Sequence, residues 1–166
     1  AEQGKRYACA DHDKQLLQDE FDALSDIVLV ADSDRVVGTV RSTSLEAADA
    51  RDHWRCTFDL TGEGARYLQQ SCVASRLAVR PEYRDRRVRD LLFRSIFLQA
   101  RRLGTQHCFA GTTRPLAKVF RGYGFREFAP PFEDPVAGQL RRMVLVLNDY
   151  EHLRQVKSPF ADCLNS

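Results

Sequence analysis

Six arginines fall among positions 76 to 89, in the run Ser75-Arg76-Leu77-Ala78-Val79-Arg80-Pro81-Glu82-Tyr83-Arg84-Asp85-Arg86-Arg87-Val88-Arg89. Guanidinium groups at that density favour the binding of an anion, phosphate above all. The flanking residues sharpen the reading. Leu77 and Val79 alternate as in a strand, and Pro81, which cannot donate to a ladder, should end it. From Val88 the apolar positions 88, 91, 92, 96 and 103 follow helical spacing, widened by Phe93, Phe97 and Ala100. Gly104 stands where a glycine cap closes a helix. A strand that feeds a helix N-terminus through a tight loop aims free backbone N–H groups and the positive end of the helix dipole at one point. The competing reading is a solvated basic helix end.

Ser75 and Arg76 need a separate account. A charged side chain inside an apolar strand must be paired if it is buried. Arg76 therefore either fixes a neighbouring loop through an ion pair or meets a carboxylate of a bound molecule.

Val79-x-Pro81-x-Tyr83-Arg84, a helix, and then Phe120-x-x-x-Gly124-Phe125 resemble the acyl-donor core of the GNAT (Gcn5-related N-acyltransferase) superfamily. Within it, Ser75-Arg76-Leu77-Ala78-Val79 is similar to the strand of N-acyl amino acid synthases and the related acyl-homoserine-lactone synthases. Met143-Val-Leu-Val-Leu147, His152-Leu153 and Ser158-Pro159-Phe160 resemble the tail of those enzymes. The likeness covers roughly residues 70 to 160; before that only the order of elements matches.

The resemblance implies an α+β fold, a GNAT-type mixed central β-sheet with helices on both faces, in one domain over 1–166. It implies that two parallel strands, 72–79 and 106–111, splay apart around an acyl thioester. The donor is then acyl-phosphopantetheine on acyl carrier protein, or acyl-CoA, held by Leu77, Ala78 and Val79 through their backbone and by the loop Arg84, Asp85, Arg86, Arg87, Val88, Arg89. The family loop carries glycines where this chain has Arg87 and Arg89. That change crowds a coenzyme A pyrophosphate and favours an acidic protein surface, hence the carrier protein. Trp54, Phe58, Phe109, Phe128 and Met143 become candidates for lining an acyl tunnel, although an aromatic pair such as Trp54 and Phe58 also reads as plain core.

Catalytic assignments are thinner. Ser75, Arg76 and Tyr123 are the candidates. Family members often place a glutamate at the positions of Val73 or Ser75, and a tyrosine at that of Phe120. Glu63, Glu82 and His107 remain as bases with nothing in the sequence to rank them, and a lone histidine on a strand ordinarily reads as a satisfied core residue. Tyr123, one turn beyond Phe120, is either an acid for the leaving thiolate or a packing residue.

The composition agrees with a soluble globular protein: 43% hydrophobic and 29% charged residues leave room for a core without a membrane stretch. The net charge of +2 conceals nine arginines against three acids between Arg76 and Arg102, which calls for an acidic partner. Five cysteines without CxxC spacing indicate neither a zinc site nor a complete disulfide framework, hence no metal and a reducing cytoplasm. No apolar run reaches the ~18 residues of a membrane span.

Along the rest of the chain, residues 5–10 read as a strand. Asp11 and Asp13 can cap a helix through Leu16, Leu17, Phe21 and Leu24. Ile27–Ala31 and Val36–Val40 read as a buried hairpin without chemistry. Residues 42–52 read as a loop, and Trp54, Cys56 and Phe58 alternate like a strand. Strands follow at 106–110, from Phe125, and at 140–147, with a short helix at 116–121 and Ala129-Pro-Pro-Phe132 as an interruption.

The function expected is N-acyl transfer from an acyl thioester, preferably on acyl carrier protein, to the amine of an amino acid or similar small molecule. A coenzyme A-dependent acetyltransferase with an altered loop, or an inactive acyl-binding or protein-binding module, are the alternatives. Nucleic acid ranks below them, because the basic stretch lacks interleaved aromatics on a strand.

Overall fold

Side-chain alternation along the central strands sorts the apolar residues into two layers. A computed structural model describes residues 10, 11, 13, 16–84 and 86–165. Its strands are β1 (Ala10–Asp11), β2 (Leu16–Leu17), β3 (Ser25–Asp32), β4 (Arg35–Ser44), β5 (Ser71–Val79), β6 (His107–Thr112), β7 (Arg126–Asp134) and β8 (Gly138–Val146). Its helices are α1 (Ala48–Thr57), α2 (Ala65–Gln69), α3 (Arg86–Arg102), α4 (Arg114–Gly122) and α5 (Tyr150–Gln155). Six strands form one mixed sheet in the order β3-β4-β5-β6-β8-β7, with β5 and β6 parallel; β1 and β2 pair separately.

Cys72, Cys108, Ala110, Met143 and Leu145 point to one face, against Phe93 and Phe97 of α3, Phe120 of α4, and Leu153 of α5. Their neighbours Val73, Phe109 and Val144 point to the other, against Phe58, Leu60 and Leu68. Helices cover both faces, so the α+β arrangement implied by the sequence is the one found. Among the described residues no helix is long and apolar enough to cross a membrane.

The long helix α3 buries Val88, Leu92, Phe93, Ile96, Phe97 and Ala100. Leu91 and Leu103 depart from the expected stripe and are 54% and 69% exposed, because the buried face is centred on 92, 93, 96, 97 and 100. Gly104 (φ 74°) ends the helix in the left-handed conformation glycine favours.

Four local expectations are corrected. Residues 42–52 are not one loop, since β4 runs to Ser44 and α1 starts at Ala48. No helix runs from Asp11 to Leu24: β1 pairs with β2, and a 3-10 turn at Asp22–Leu24 follows. That segment is shaped by long-range ion pairs rather than by its own period. Residues 54–58 are not a strand but the end of α1 and the residue after it. Trp54 and Phe58 lie four apart, on one helical face, and Ala48 and Ala50 supply strong helix propensity; Cys56, the middle of the apparent alternation, is exposed. The hairpin β3–β4 exists, but β3 is an edge strand with Ile27 and Leu29 exposed, so it is not buried as expected. Of the strand expected over 5–10 only Ala10 is among the described residues.

β4 and α3 pack so closely that only glycine fits at one point. A Cβ on Gly38 would lie 2.8 Å from Val88 Cγ1 and 3.0 Å from Leu92 Cδ1. Gly38→Ala is expected to destabilise the protein by about 1–3 kcal/mol through overpacking. Gly62→Ala, which meets nothing within 4 Å, should stay within about 0.5 kcal/mol of wild type. Thermal unfolding of the two variants checks this, and equal stabilities would refute the close packing of α3.

Candidate active site

β5 and β6 stay together for only three registered pairs, Ser71–His107, Cys72–Cys108 and Val73–Phe109. Beyond Val73 and Phe109 each strand continues against its other neighbour, β4 or β8, and the edges facing one another are no longer paired. Backbone N–H and C=O groups on those edges need partners. A gap of this kind can hold an extended polar chain by strand-like hydrogen bonds.

Ser75, Arg76 and Leu77 border the gap on β5. The register with β4 passes from Arg41–Ser75 to Thr39–Ala78, so three steps on β5 match two on β4. The extra residue is a bulge at Arg76, whose φ is +52°, a conformation that costs an L-residue about 1–2 kcal/mol. The bulge inverts the strand's alternation. Val73 faces α1, while Leu77 and Val79 join Val37, Val40, Val88 and Leu92 on the α3 face.

An ion network holds the bulge. Arg41 Nη1 donates to Asp19 Oδ1 at 2.6 Å and to Asp22 Oδ1 at 2.7 Å, and its Nε donates to Ser75 Oγ at 3.0 Å. Arg76 Nη2 donates to Asp19 Oδ2 at 2.6 Å. The side chain of Arg41 is only 4% exposed, those of Asp19 and Arg76 17% and 19%. Burial pushes the Asp19 carboxyl up, but its hydrogen bonds and charge contacts with Arg41 and Arg76 outweigh that and hold it below the ordinary carboxylate range. A carboxylate so stabilised is a poor proton acceptor.

The α1 side of the gap is aromatic. Trp54, Phe58, Phe109 and Phe128 form a row with ring centroids 5.8, 5.7 and 5.4 Å apart. Phe21 extends the row towards Arg41, 5.5 Å from Trp54, and Phe132 flanks it, 6.0 Å from Phe58. Trp54 Nε1 is buried without a hydrogen-bond partner among the described residues. Four of the five residues expected to line an acyl tunnel thus stand together; Met143 is fully buried on the opposite face. That face has a cavity of about 20 Å³. It is bordered by Ala74, Phe97, Ala100, Cys108, Leu145 and Phe160.

The loop after β5 is a 3-10 turn, Pro81–Tyr83, pinned to the β3–β4 hairpin by Tyr83 Oη to Asp32 (2.7 Å) and Arg35 to Glu82 (2.9 Å). Arg84 and Arg87 are exposed there, and Arg84 Nε donates to Val79 O at 3.2 Å. Asp85 lies outside the described residues. Val88 turns into the core. Arg89 folds back to Tyr123, its Nε 3.2 Å from the hydroxyl, and so leaves the space a glycine would leave open at that position. Tyr123 is buried, stacks 4.3 Å from Phe93, and donates its hydroxyl proton to Asp90. Burial and Asp90 push its pKa up to about 12, against the opposing effect of Arg89. His107 packs on Tyr67 at 4.2 Å, with Nδ1 buried and unpartnered among the described residues, so it is not the satisfied core histidine expected. Burial lowers its pKa, with Glu63 opposing, so the ring is neutral at pH 7.

Arg41, Asp19, Asp22, Phe21 and Phe132 belong to this site without having been singled out in the sequence. Of these, Arg41 carried a signal: like Arg76, it is a charge beside apolar strand residues.

The network sets the response to acid. A depressed Asp19 pKa means its contribution is present above the ordinary carboxylate value and is lost as pH falls through the folded one. Asp19→Asn is expected to cost about 3 kcal/mol at pH 7. The gap between variant and wild type should close below about pH 4. Unfolding midpoints measured from pH 7 to pH 2.5 check this, and a constant gap would exclude the ion pair as its cause.

The backbone of this arrangement recurs in solved structures. The chain is similar to the CoA-dependent acyl-homoserine lactone synthase MesI (TM-score 0.69, 17% identity, 95% of this chain and 80% of that one). It is also similar to FeeM, an N-acyl amino acid synthase from uncultured soil microbes (0.65, 11%, 78% and 79%), and to the AHL synthase LasI (0.65, 17%, 81% and 71%). At these identities the likeness is one of fold. No curated protein matches at the level of sequence. The profile of the acetyltransferase (GNAT) domain does match, over residues 1–94, from the N-terminal segment through the bulged strand into α3. With more than half of its length matched and the parted strands in place, the chain belongs to the GNAT acetyltransferase family and is an N-acyltransferase.

Proposed function

We propose that this N-acyltransferase moves a fatty acyl group from acyl carrier protein to the amine of an amino acid or similar small molecule. The observation that carries the reading is the gap between β5 and β6, with a charged network on its β4 side and an aromatic row on its β8 side, both on one face of the sheet. The thioester lies in the gap, where the N–H groups of Leu77 and Val79, on the β5 edge turned away from β4, bond the pantetheine arm and the thioester oxygen, with Ala78, registered with Thr39, holding the strand between them. Those donors stabilise the oxyanion that forms when the amine attacks. The C–S bond then breaks, the thiolate takes a proton, and an amide is left. Arg76 meets the acceptor's carboxylate by exchanging its contact with Asp19, and Ser75 orders the water that takes the amine's proton. Tyr123 stays protonated at any working pH, but its proton is directed at Asp90 and reaches the thiolate only once that bond is exchanged.

The acyl chain lies along Trp54, Phe58, Phe109 and Phe128. Each methylene buried there adds up to ~0.8 kcal/mol, so turnover should rise from acetyl to dodecanoyl donors. Equal rates across that series would exclude an apolar chain site.

The carrier is favoured over coenzyme A by charge. Arg84 and Arg87 are exposed at the mouth of the gap, beside the start of α3. They suit an acidic protein surface and the single phosphate of its prosthetic arm. Coenzyme A, with an acyl group of the same length, is the second reading; the CoA-dependent synthase fold shared with MesI favours it. The reaction is assigned to the reducing cytoplasm, in keeping with the free thiols of Cys56, Cys72, Cys108 and Cys163.

Replacing Arg84, Arg86 and Arg87 together by alanine should raise the KM for the carrier-bound donor about tenfold and change kcat less, since exposed charges act on encounter and affinity. Arg76→Ala should lower kcat instead. Donor binding should weaken steeply with salt. Calorimetry that found tight coenzyme A binding and no carrier binding would reverse the donor assignment.

A further inference from the structure

Arg142 lies on β8 and is in register with Gly111 of β6 on one side and Ala129 of β7 on the other. Gly111 falls just past the point where β5 and β6 part. A Cβ there would come within 3.1 Å of Phe132 Cζ, so the Phe132 ring rests against bare backbone at the edge of the gap. What holds that ring down is unusual for a strand. The β7–β8 register slips on both sides of Ala129, and Pro130 and Pro131 have no N–H with which to complete the ladder.

The guanidinium of Arg142 makes up for the missing ladder. Its Nη1 donates to Pro130 O at 2.6 Å, its Nε donates to Thr57 O at 2.8 Å, and its Cζ stands 5.0 Å from the Phe132 ring centroid. Thr57 is the last residue of α1, so the cation also sits at the helix end where positive charge is favoured. One side chain thereby fastens the irregular part of β7 to α1 across the aromatic row.

We propose that Arg142 is a positioning residue that limits acyl-chain length, by keeping Phe132 seated against Gly111 and Phe58. With the latch made, the wall beside Phe58 and Phe109 is closed. Without it the Ala129–Phe132 segment lifts, and the row becomes a longer apolar groove open to the gap. The inference rests on the acyl-transfer reading for its substrate, but the fastening itself can be measured without turnover.

The experiment compares wild type, Arg142→Lys, Arg142→Met and Phe132→Leu. The first measurement is kcat/KM with carrier-bound octanoyl, dodecanoyl and hexadecanoyl donors. The second is amide hydrogen exchange at Phe128, Ala129 and Phe132. Arg142→Met keeps the apolar stem and loses both hydrogen bonds. It should raise the hexadecanoyl-to-octanoyl ratio about tenfold, the scale on which apolar pockets discriminate, and speed exchange at the three amides. Phe132→Leu, which leaves the latch bonds in place, should move the ratio in the same direction without the faster exchange. Arg142→Lys, which keeps the charge, should stay nearer wild type in both. A uniform fall in kcat/KM at all three lengths, or unchanged exchange in Arg142→Met, overturns the latch. Absence of acyl transfer by the wild type from both carrier-bound and coenzyme A-bound donors, with faster exchange in Arg142→Met, overturns the acyl reading and leaves the fastening standing.

Discussion

Taking a guanidinium out of water costs several kcal/mol unless carboxylates and hydrogen bonds compensate it, and Arg41 is almost wholly out of water. Its partners come from far along the chain: Asp19 and Asp22 from the segment before the sheet, Ser75 from the neighbouring strand. Asp19 also takes Arg76, so one carboxylate joins two strands and the segment that covers them. The position of that segment follows, and so does that of Phe21, which lies over Trp54 at the start of the aromatic row. The unfavourable backbone angle at Arg76 persists because its side chain is held at the other end.

The gap thus has two kinds of wall. Towards β4 it is charged, with Arg41 and Arg76 set against Asp19 and Asp22 among the described residues. Towards β8 it is aromatic. A molecule with a polar head and an apolar tail would find each part matched on the same face of the sheet. On the opposite face, helices α3, α4 and α5 pack stacked rings, such as Phe97 on Phe160 at 4.3 Å, around a cavity of about 20 Å³.

The sequence showed what is periodic and local. The strand, proline turn and basic helix from Ser75 to Gly104, the β3–β4 hairpin, and the strand–helix unit of β6 and α4 all lie where their patterns put them. Alternation misled at Trp54, Cys56 and Phe58, because three residues are too few to separate a period of two from one of 3.6 when Trp54 and Phe58 satisfy both. The candidate site was legible on β5, whose motif is contiguous, and hardly at all elsewhere. Arg76 and Asp19 are 57 positions apart, and Arg142 reaches Thr57 across 85. No local pattern records such pairings. Met143 was grouped with the wrong face because its apolar character says nothing about which side of the sheet it occupies.

The bulge at Arg76 makes the length of β5 as constrained as its composition. Up to Ser75 the strand counts inside and outside in one phase, and from Leu77 in the other. An insertion or deletion of a single residue would not lengthen or trim a loop here. It would exchange wall for core along half a strand, turning Leu77 and Val79 towards the gap and Ala78 towards α3. Substitutions along β5 can be absorbed one at a time, but a shift of frame cannot, so this strand is free to drift in sequence and fixed in count.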